Sequence, residues 1–305
     1  MNVSIDWCAA TFDFGAEMLR PLINELSRVL GVPLQAGEGR ARPGFTDGLE
    51  IKAFVRFQLV TVAVLAYGGD SQRGRAMLEF SGGCCGCVCD WSTMRDFLES
   101  LPGSRLTRVD VAVDLFEGEY TVDDAIAWRD EGFFTVKGRS PSSSVAGDWY
   151  DRQAGRTLYI GKAKNGKGLR VYEKGQQLGF VDSKWNRFEV QFGNRERVLP
   201  FDILLTPEKY FVGAYPALER LLDQVGEPIH LVSRTAEVSI RALLDHFKRG
   251  YGKWINVFAL AGIDASDLVA GLRVMALPRR IQASAVVADV LASATRASFD
   301  KWVQL

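Results

Sequence analysis

Tyr172 lies in Leu169-Arg170-Val171-Tyr172-Glu173-Lys174-Gly175, where strand alternation puts Arg170, Tyr172 and Lys174 on one face and Val171 on the other. Cations on both sides of a phenol favour phenolate and neutralise an approaching phosphate, so the chemistry open to this segment is nucleophilic attack on a phosphodiester. Four carboxylates in strand-like stretches, Glu79, Asp110, Asp114 and Glu189, could hold a hard metal ion beside it. The chain has 2 histidines, His230 and His246, so a catalytic metal must be held mainly by oxygen, which selects Mg²⁺ or Mn²⁺ over zinc. Tyr159 is the competing nucleophile; it precedes Ile160-Gly161 on the neighbouring strand and lacks flanking cations. Plainer readings stand beside these: a packed strand tyrosine, and acids on a wetted sheet face.

The elements that must position these groups are mostly strands. Thr107 to Leu115 alternates, with Asp110, Ala112 and Asp114 on one face and Val109, Val111, Val113 and Leu115 on the other. Glu79 ends the apolar Ala76-Met77-Leu78, and in Trp185 to Val190 the residues Arg187 and Glu189 share a face. Strands are also expected over Ser4 to Phe12, Ile51 to Phe57, Leu59 to Tyr67, Arg75 to Phe80, Leu106 to Phe116, Thr157 to Gly161, Gly168 to Glu173 and Trp185 to Phe192. Helices are expected over Ala16 to Leu30 with Gly31 as its stop, from Asp90 to Leu101, from Thr121, and from Thr206-Pro207 toward Leu222. Gly138 to Gly147 reads as a mobile surface loop, and the chain from Thr235 onward reads as helical. The fold class is therefore α+β: a mainly antiparallel sheet with flanking helices over residues 1–225, then a helical region over 226–305.

Composition is that of a globular protein, with 305 residues, 47% hydrophobic and 24% charged, and a formal net charge of +0. A polyanion partner must then be met by local charge. Seven basic residues, Arg152, Arg156, Lys162, Lys164, Lys167, Arg170 and Lys174, face one acid, Glu173, between positions 152 and 174; such a run is also what a solvated hairpin shows. The longest apolar run, Leu59 to Ala66, is too short for a bilayer, and the N-terminal stretch does not read as a signal sequence, so no membrane association and a cytoplasmic location are expected. Four of the five cysteines crowd into Cys84 to Cys89; their spacing lacks a second C-x-x-C pair, and small buried thiols around a turn are favoured over zinc.

In this order, Leu78-Glu79-Phe80-Ser81-Gly82, Thr107 to Asp114, Tyr159-Ile160-Gly161, Leu169 to Lys174 and Trp185 to Glu189 resemble the Rep_trans family of rolling-circle replication initiators of plasmids, filamentous phages and integrative elements. The resemblance covers roughly residues 1 to 220. It implies Tyr172 as the nucleophile, Glu79, Asp110 and Glu189 as metal ligands with Asp114 as the substitute, and Arg187 as a group orienting phosphate or carboxylate. Arg170 and Lys174 would assist, and Arg108, Lys162, Lys164 and Lys167 would contact DNA. The implied reaction is metal-dependent nicking and closing of single-stranded or extruded origin DNA through a 5′-phosphotyrosine. The free 3′-OH would prime a host polymerase, with a host helicase as partner and a homodimer plausible. Duplex recognition is expected of the region after Thr235, where Arg241, His246, Lys248, Arg249 and Lys253 cluster, and of Lys137 to Asp148; the equal alternative is that Thr235 to Leu305 only packs against the sheet. A conjugative relaxase and a non-catalytic DNA-binding regulator of the same fold are the alternatives.

Overall fold

The computed structural model describes residues 3–55, 58–150, 155–195, 198–224 and 231–273. The chain divides into two compact units, one drawn chiefly from residues 1–228 and one chiefly from residues 229–305.

The first unit is built on one ten-stranded sheet in which every pairing is antiparallel. Its strands are β1 (Val3–Asp13), β2 (Leu34–Glu38), β3 (Asp47–Val55), β4 (Gln58–Tyr67), β5 (Arg75–Ser81), β6 (Arg105–Leu115), β7 (Ser143–Gly147), β8 (Arg156–Lys162), β9 (Lys167–Tyr172) and β10 (Asn186–Gly193). Across the sheet they run β2-β3-β4-β5-β1-β6-β10-β9-β8-β7. Two long strands, β1 and β6, therefore stand at the centre, and β6 carries the Asp110-Ala112-Asp114 alternation into the interior.

Period-two alternation sorts the side chains. One face presents Ile5, Cys8, Ala10 and Phe12 of β1, Val109, Val111 and Val113 of β6, Phe188 and Val190 of β10, and Leu169 and Val171 of β9, all buried in one apolar cluster. The same cluster includes Leu22, Leu26 and Leu30 of α1 (Leu19–Leu30), Met94, Phe97 and Leu98 of α2 (Trp91–Ser100), and Val122, Ala125 and Trp128 of α3 (Val122–Asp130). Helix ends follow the sequence signals. Gly31 takes φ 68° after α1, Asp90 accepts from the backbone N–H groups of Ser92 at 2.9 Å and Thr93 at 3.2 Å, and Thr121 with Asp124 forms a reciprocal capping box.

Several expectations change. A 3₁₀ turn, Ala16–Met18, precedes α1, and β2 was not anticipated, because Leu-Gln-Ala-Gly-Glu is a weak strand former that gains order only by pairing with β3. The expected loop from Gly138 to Gly147 contains β7, which forms the sheet edge along β8. The expected strand ends at Tyr172: Lys174 opens a one-turn helix, α4 (Lys174–Gln177), so alternation does not extend to it. The helix expected toward Leu222 is α5 (Pro207–Val212) followed by a 3₁₀ segment, Pro216–Gln224.

The second unit holds α6 (Leu231–Leu260) and α7 (Ala265–Leu272), the latter capped by Asp264, whose carboxylate accepts from the Ser266 backbone N–H at 2.7 Å. Lys248, Arg249 and Lys253 are exposed on α6; the side chains of Arg241 and His246, and all of His230, lie outside the described residues. No helix among the described residues is long and apolar enough to cross a membrane.

Candidate active site

The face of the sheet opposite the apolar cluster carries the candidate groups. Register puts Glu79 across from Ala9, Trp7 across from Asp110, Glu189 across from Ala112, Arg187 across from Asp114 and Tyr172, and Arg170 across from Glu189 and Tyr159. Five adjacent strands, β5, β1, β6, β10 and β9, thus bring Glu79, Asp110, Asp114, Glu189, Arg187, Arg170 and Tyr172 to one surface. The wetted-face alternative does not hold for the acids: Glu79, Asp110, Asp114 and Glu189 are all buried.

Buried carboxylates need partners, and each has an arginine. Arg42 reaches Glu79 at 2.7 Å, Arg108 reaches Asp110 at 2.5 Å, Arg170 reaches Glu189 at 2.5 Å, and Arg187 grips Asp114 through two bonds of 2.7 Å. Arg187 also donates to Asp6 at 2.6 Å, and the Trp185 indole donates to Asp114 at 2.5 Å. Asp6 reaches this position because the β1–β6 register shifts between Ile5 and Trp7.

Tyr172 is 2% exposed, and its hydroxyl donates to Glu189 Oε2 at 2.9 Å. The guanidinium of Arg170 lies 4.8 Å from its ring centre and the Lys174 ammonium 5.5 Å, so Lys174 covers the tyrosine from α4 although it is off the strand. The neighbouring arginines do draw the phenol's pKa down, but burial outweighs them. Burial pushes it well above its ordinary value and the Glu189 charge adds to this, against opposition from Arg187 and Arg170. Burial, then repulsion from Arg187, pulls Lys174 down from the ordinary lysine range.

The end of β9 is held by a second ionic cluster that sequence inspection missed. Glu173 accepts from the Arg156 backbone N–H at 2.7 Å and from its guanidinium at 2.8 and 3.1 Å, while Arg156 also grips Asp123 of α3 at 2.8 and 2.9 Å. Arg156 was visible only as one more basic residue of the hairpin. Asp6 and Arg42, brought in by a bulge and a loop, left no sequence signal.

Asp110 and Glu189 offer the oxygen donors that a hard cation takes, although each is already held by an arginine; burial first, and then the charges of Glu189 and Asp6, push the Asp110 carboxyl up to about 6, despite Arg108. Glu79 stands apart from them, facing Ala9 with β1 between it and β6, and Asp114 is taken up by Arg187 and Trp185. Among the described residues, no three His, Cys, Asp or Glu side chains are grouped to hold a metal ion.

The expected DNA contacts are divided. Lys162 and Lys164 are exposed at the β8–β9 turn, and Arg108 lies 4.0 Å over the Trp7 ring as well as on Asp110. Lys167 faces the other way: its ammonium sits 4.2 Å from the Tyr215 ring centre and donates to the Ala214 carbonyl. Tyr159 is exposed. In the cysteine-rich turn, a 3₁₀ segment over Gly82–Cys87, Cys85 and Cys87 are buried, Cys84 is half-buried and Cys89 exposed, all as free thiols.

A family model described as replication initiation factor, Rep_trans, matches residues 104–272, more than half of the 305-residue chain. The chain belongs to that family. The span matched by Rep_trans contains Asp110, Asp114, Tyr159, Tyr172, Arg187 and Glu189 and begins after Glu79. A solved structure described as a rolling circle replication initiator protein from Geobacillus stearothermophilus is similar at 22% identity and a TM-score of 0.47, covering 63% of this chain and 75% of that one. No curated protein matches the chain.

Proposed function

We propose that this replication initiation factor acts by the rolling-circle route, nicking and rejoining one strand of origin DNA through a 5′-phosphotyrosine on Tyr172. The observation that carries the reading is the hydrogen bond from the Tyr172 hydroxyl to Glu189, 2.9 Å long, within a face that also presents Arg170, Arg187 and Asp110, with Lys174 reaching over the ring from α4. Glu189 would accept the phenolic proton as the oxygen attacks phosphorus. The bond from phosphorus to the 3′ oxygen breaks, the 3′ oxygen takes up a proton, and the phosphoryl group stays on Tyr172. Reversal by an incoming 3′-OH rejoins the strand without a nucleotide cofactor.

Asp110 and Glu189 would hold Mg²⁺ or Mn²⁺, which when bound supplies polarisation of the phosphodiester oxygens. Arg170 and Lys174 lie over the Tyr172 ring, so a phosphate drawing them onto its own oxygens also uncovers the nucleophile. Arg187, held by Asp6 and Asp114, keeps β10 and its Glu189 in place. The free 3′-OH would serve a host polymerase, with a host helicase opening the duplex and a second copy of the chain available for the closing cleavage.

The test is incubation of wild type and Tyr172→Phe with labelled single-stranded or supercoiled origin DNA and Mn²⁺, followed by denaturing electrophoresis. A protein–DNA adduct in wild type that disappears with EDTA and in Tyr172→Phe is expected. Binding without an adduct would support the non-catalytic regulator instead.

A further inference from the structure

We propose that Tyr159, Gly161, Gly168 and Gln191 form a seat for one unpaired nucleobase of the DNA strand, beside the phosphate that Tyr172 attacks. The proposal rests on the tyrosine-nuclease reading above for its place in the reaction, but not for the binding itself.

Tyr159 is 38% exposed, although Leu158 and Ile160 on either side of it are buried in the apolar cluster. Its ring stands on the active face opposite Arg170, and among the described residues no second ring or cation stacks on it. Beside it is a depression of ≈ 120 Å³ bounded by Gly161, Gly168, Arg170, Glu189 and Gln191.

Two of its lining residues, Gly161 and Gly168, carry no side chain. Gly161 and Gly168 pair directly across β8 and β9; Gly161 takes φ +76°, and a Cβ would lie 2.6 Å from the Tyr215 hydroxyl at Gly161 and 2.9 Å from the Ala163 backbone nitrogen at Gly168, so glycine at both lets the β8–β9 turn close tightly beside the depression. Gln191 projects from β10 opposite Gly168, and its carboxamide makes no hydrogen bond among the described residues. An exposed aromatic face beside a depression with an unengaged carboxamide matches a nucleobase, which offers a π-face for stacking and an edge for hydrogen bonds.

The wall residue Arg170 links the seat to the chemistry. It faces Tyr159 across the β8–β9 pairing and also lies over the Tyr172 ring. A nucleotide whose base stacks on Tyr159 therefore brings its phosphate toward Arg170 and Tyr172. In this arrangement Tyr159 works through its ring; its hydroxyl is not a second nucleophile.

The test measures binding alone, using the full chain carrying Tyr172→Phe, without divalent ion. The probe is a short oligothymidylate bearing one 2-aminopurine, followed by anisotropy for affinity and by 2-aminopurine quenching for stacking. Adding Tyr159→Phe should leave both unchanged. Adding Tyr159→Ala should weaken binding by about tenfold or more and abolish the quenching, the scale expected for one lost base–aromatic stack. Tyr159→Leu keeps apolar bulk in the strand and must behave like Tyr159→Ala, which separates loss of the ring from loss of fold.

Equal affinity in Tyr159→Ala and its parent, or a Tyr159→Phe defect as large as that of Tyr159→Ala, would overturn the seat. Absence of a covalent adduct in wild type, with the Tyr159 series behaving as described, would refute the nuclease reading and leave the seat standing.

Discussion

On one face of β6 and β10, Val109, Val111, Val113, Phe188 and Val190 are closed to water by apolar contact; on the other, Asp110, Asp114, Arg187 and Glu189 are closed to water while carrying charge. The two faces belong to the same residues' neighbours in sequence, so the backbone is shared and the chemistry differs. An apolar face is stabilised by burial itself. A charged face is tolerated only because every carboxylate has a guanidinium, and removing one member leaves the other desolvated. The pairs also differ among themselves: Arg187 is buried with two acids, whereas Arg42, Arg108 and Arg170 keep about a third of their side chains exposed. Arg187 is thus the fixed frame of this face, and the other three keep an edge open to solvent, where a phosphate could meet them under the proposed function.

The sharpest way to break this comparison is to remove the frame. Arg187→Leu is expected to cost about 3–5 kcal/mol in denaturant unfolding, with Asp114 left buried without its guanidinium and the half-buried Asp6 without its partner. Adding Asp114→Leu should recover part of that loss; a double variant less stable than the single would contradict the unpaired-charge account. On the apolar face, Phe188→Ala should cost a similar ~3–5 kcal/mol through the cavity it leaves, with no such recovery from Asp114→Leu.

Asp110 offers a change of opposite sign. Its carboxyl is raised from 3.8 to about 6 by burial and by Glu189 and Asp6, so between those pH values the folded state holds more proton than the unfolded one. Stability therefore falls as pH rises through that window, and above it the folded state bears the full cost of the buried charge. Asp110→Asn in EDTA should raise stability by about 1 kcal/mol at pH 8, after loss of the Arg108 bonds, and lose that gain near pH 4. Metal-assisted nicking should fall in the same variant. Destabilisation at pH 8 would mean that the Arg108 bonds outweigh burial. At the rim, where Asp13 is 62% exposed against Arg75, Asp13→Asn should shift stability by less than about 1 kcal/mol.

Much of this was legible in the sequence because it depends on period two. The alternation in Thr107 to Leu115 and in Trp185 to Val190 placed the acids and arginines on one face, and helix ends were marked by Asp90, Thr121 and Gly31. What was not legible depends on pairing at a distance. The burial of the acids follows from Arg42, Arg108, Arg170 and Arg187 arriving from other elements or closing locally, and Asp6 enters only because β1 bulges. The burial of Tyr172 was hidden for the same reason: flanking cations are visible in a string of letters, and desolvation is not. Lys174 reached the tyrosine by a helical turn where a strand was expected, and β7 took its order from its neighbour.

The central claim is that Tyr172 becomes joined to DNA. The direct measurement is mass spectrometry of the wild-type adduct after nuclease and protease digestion. A phosphoryl-nucleotide on the peptide containing Tyr172 is the predicted result. The same group on the peptide containing Tyr159, with Tyr172 unmodified, would contradict it.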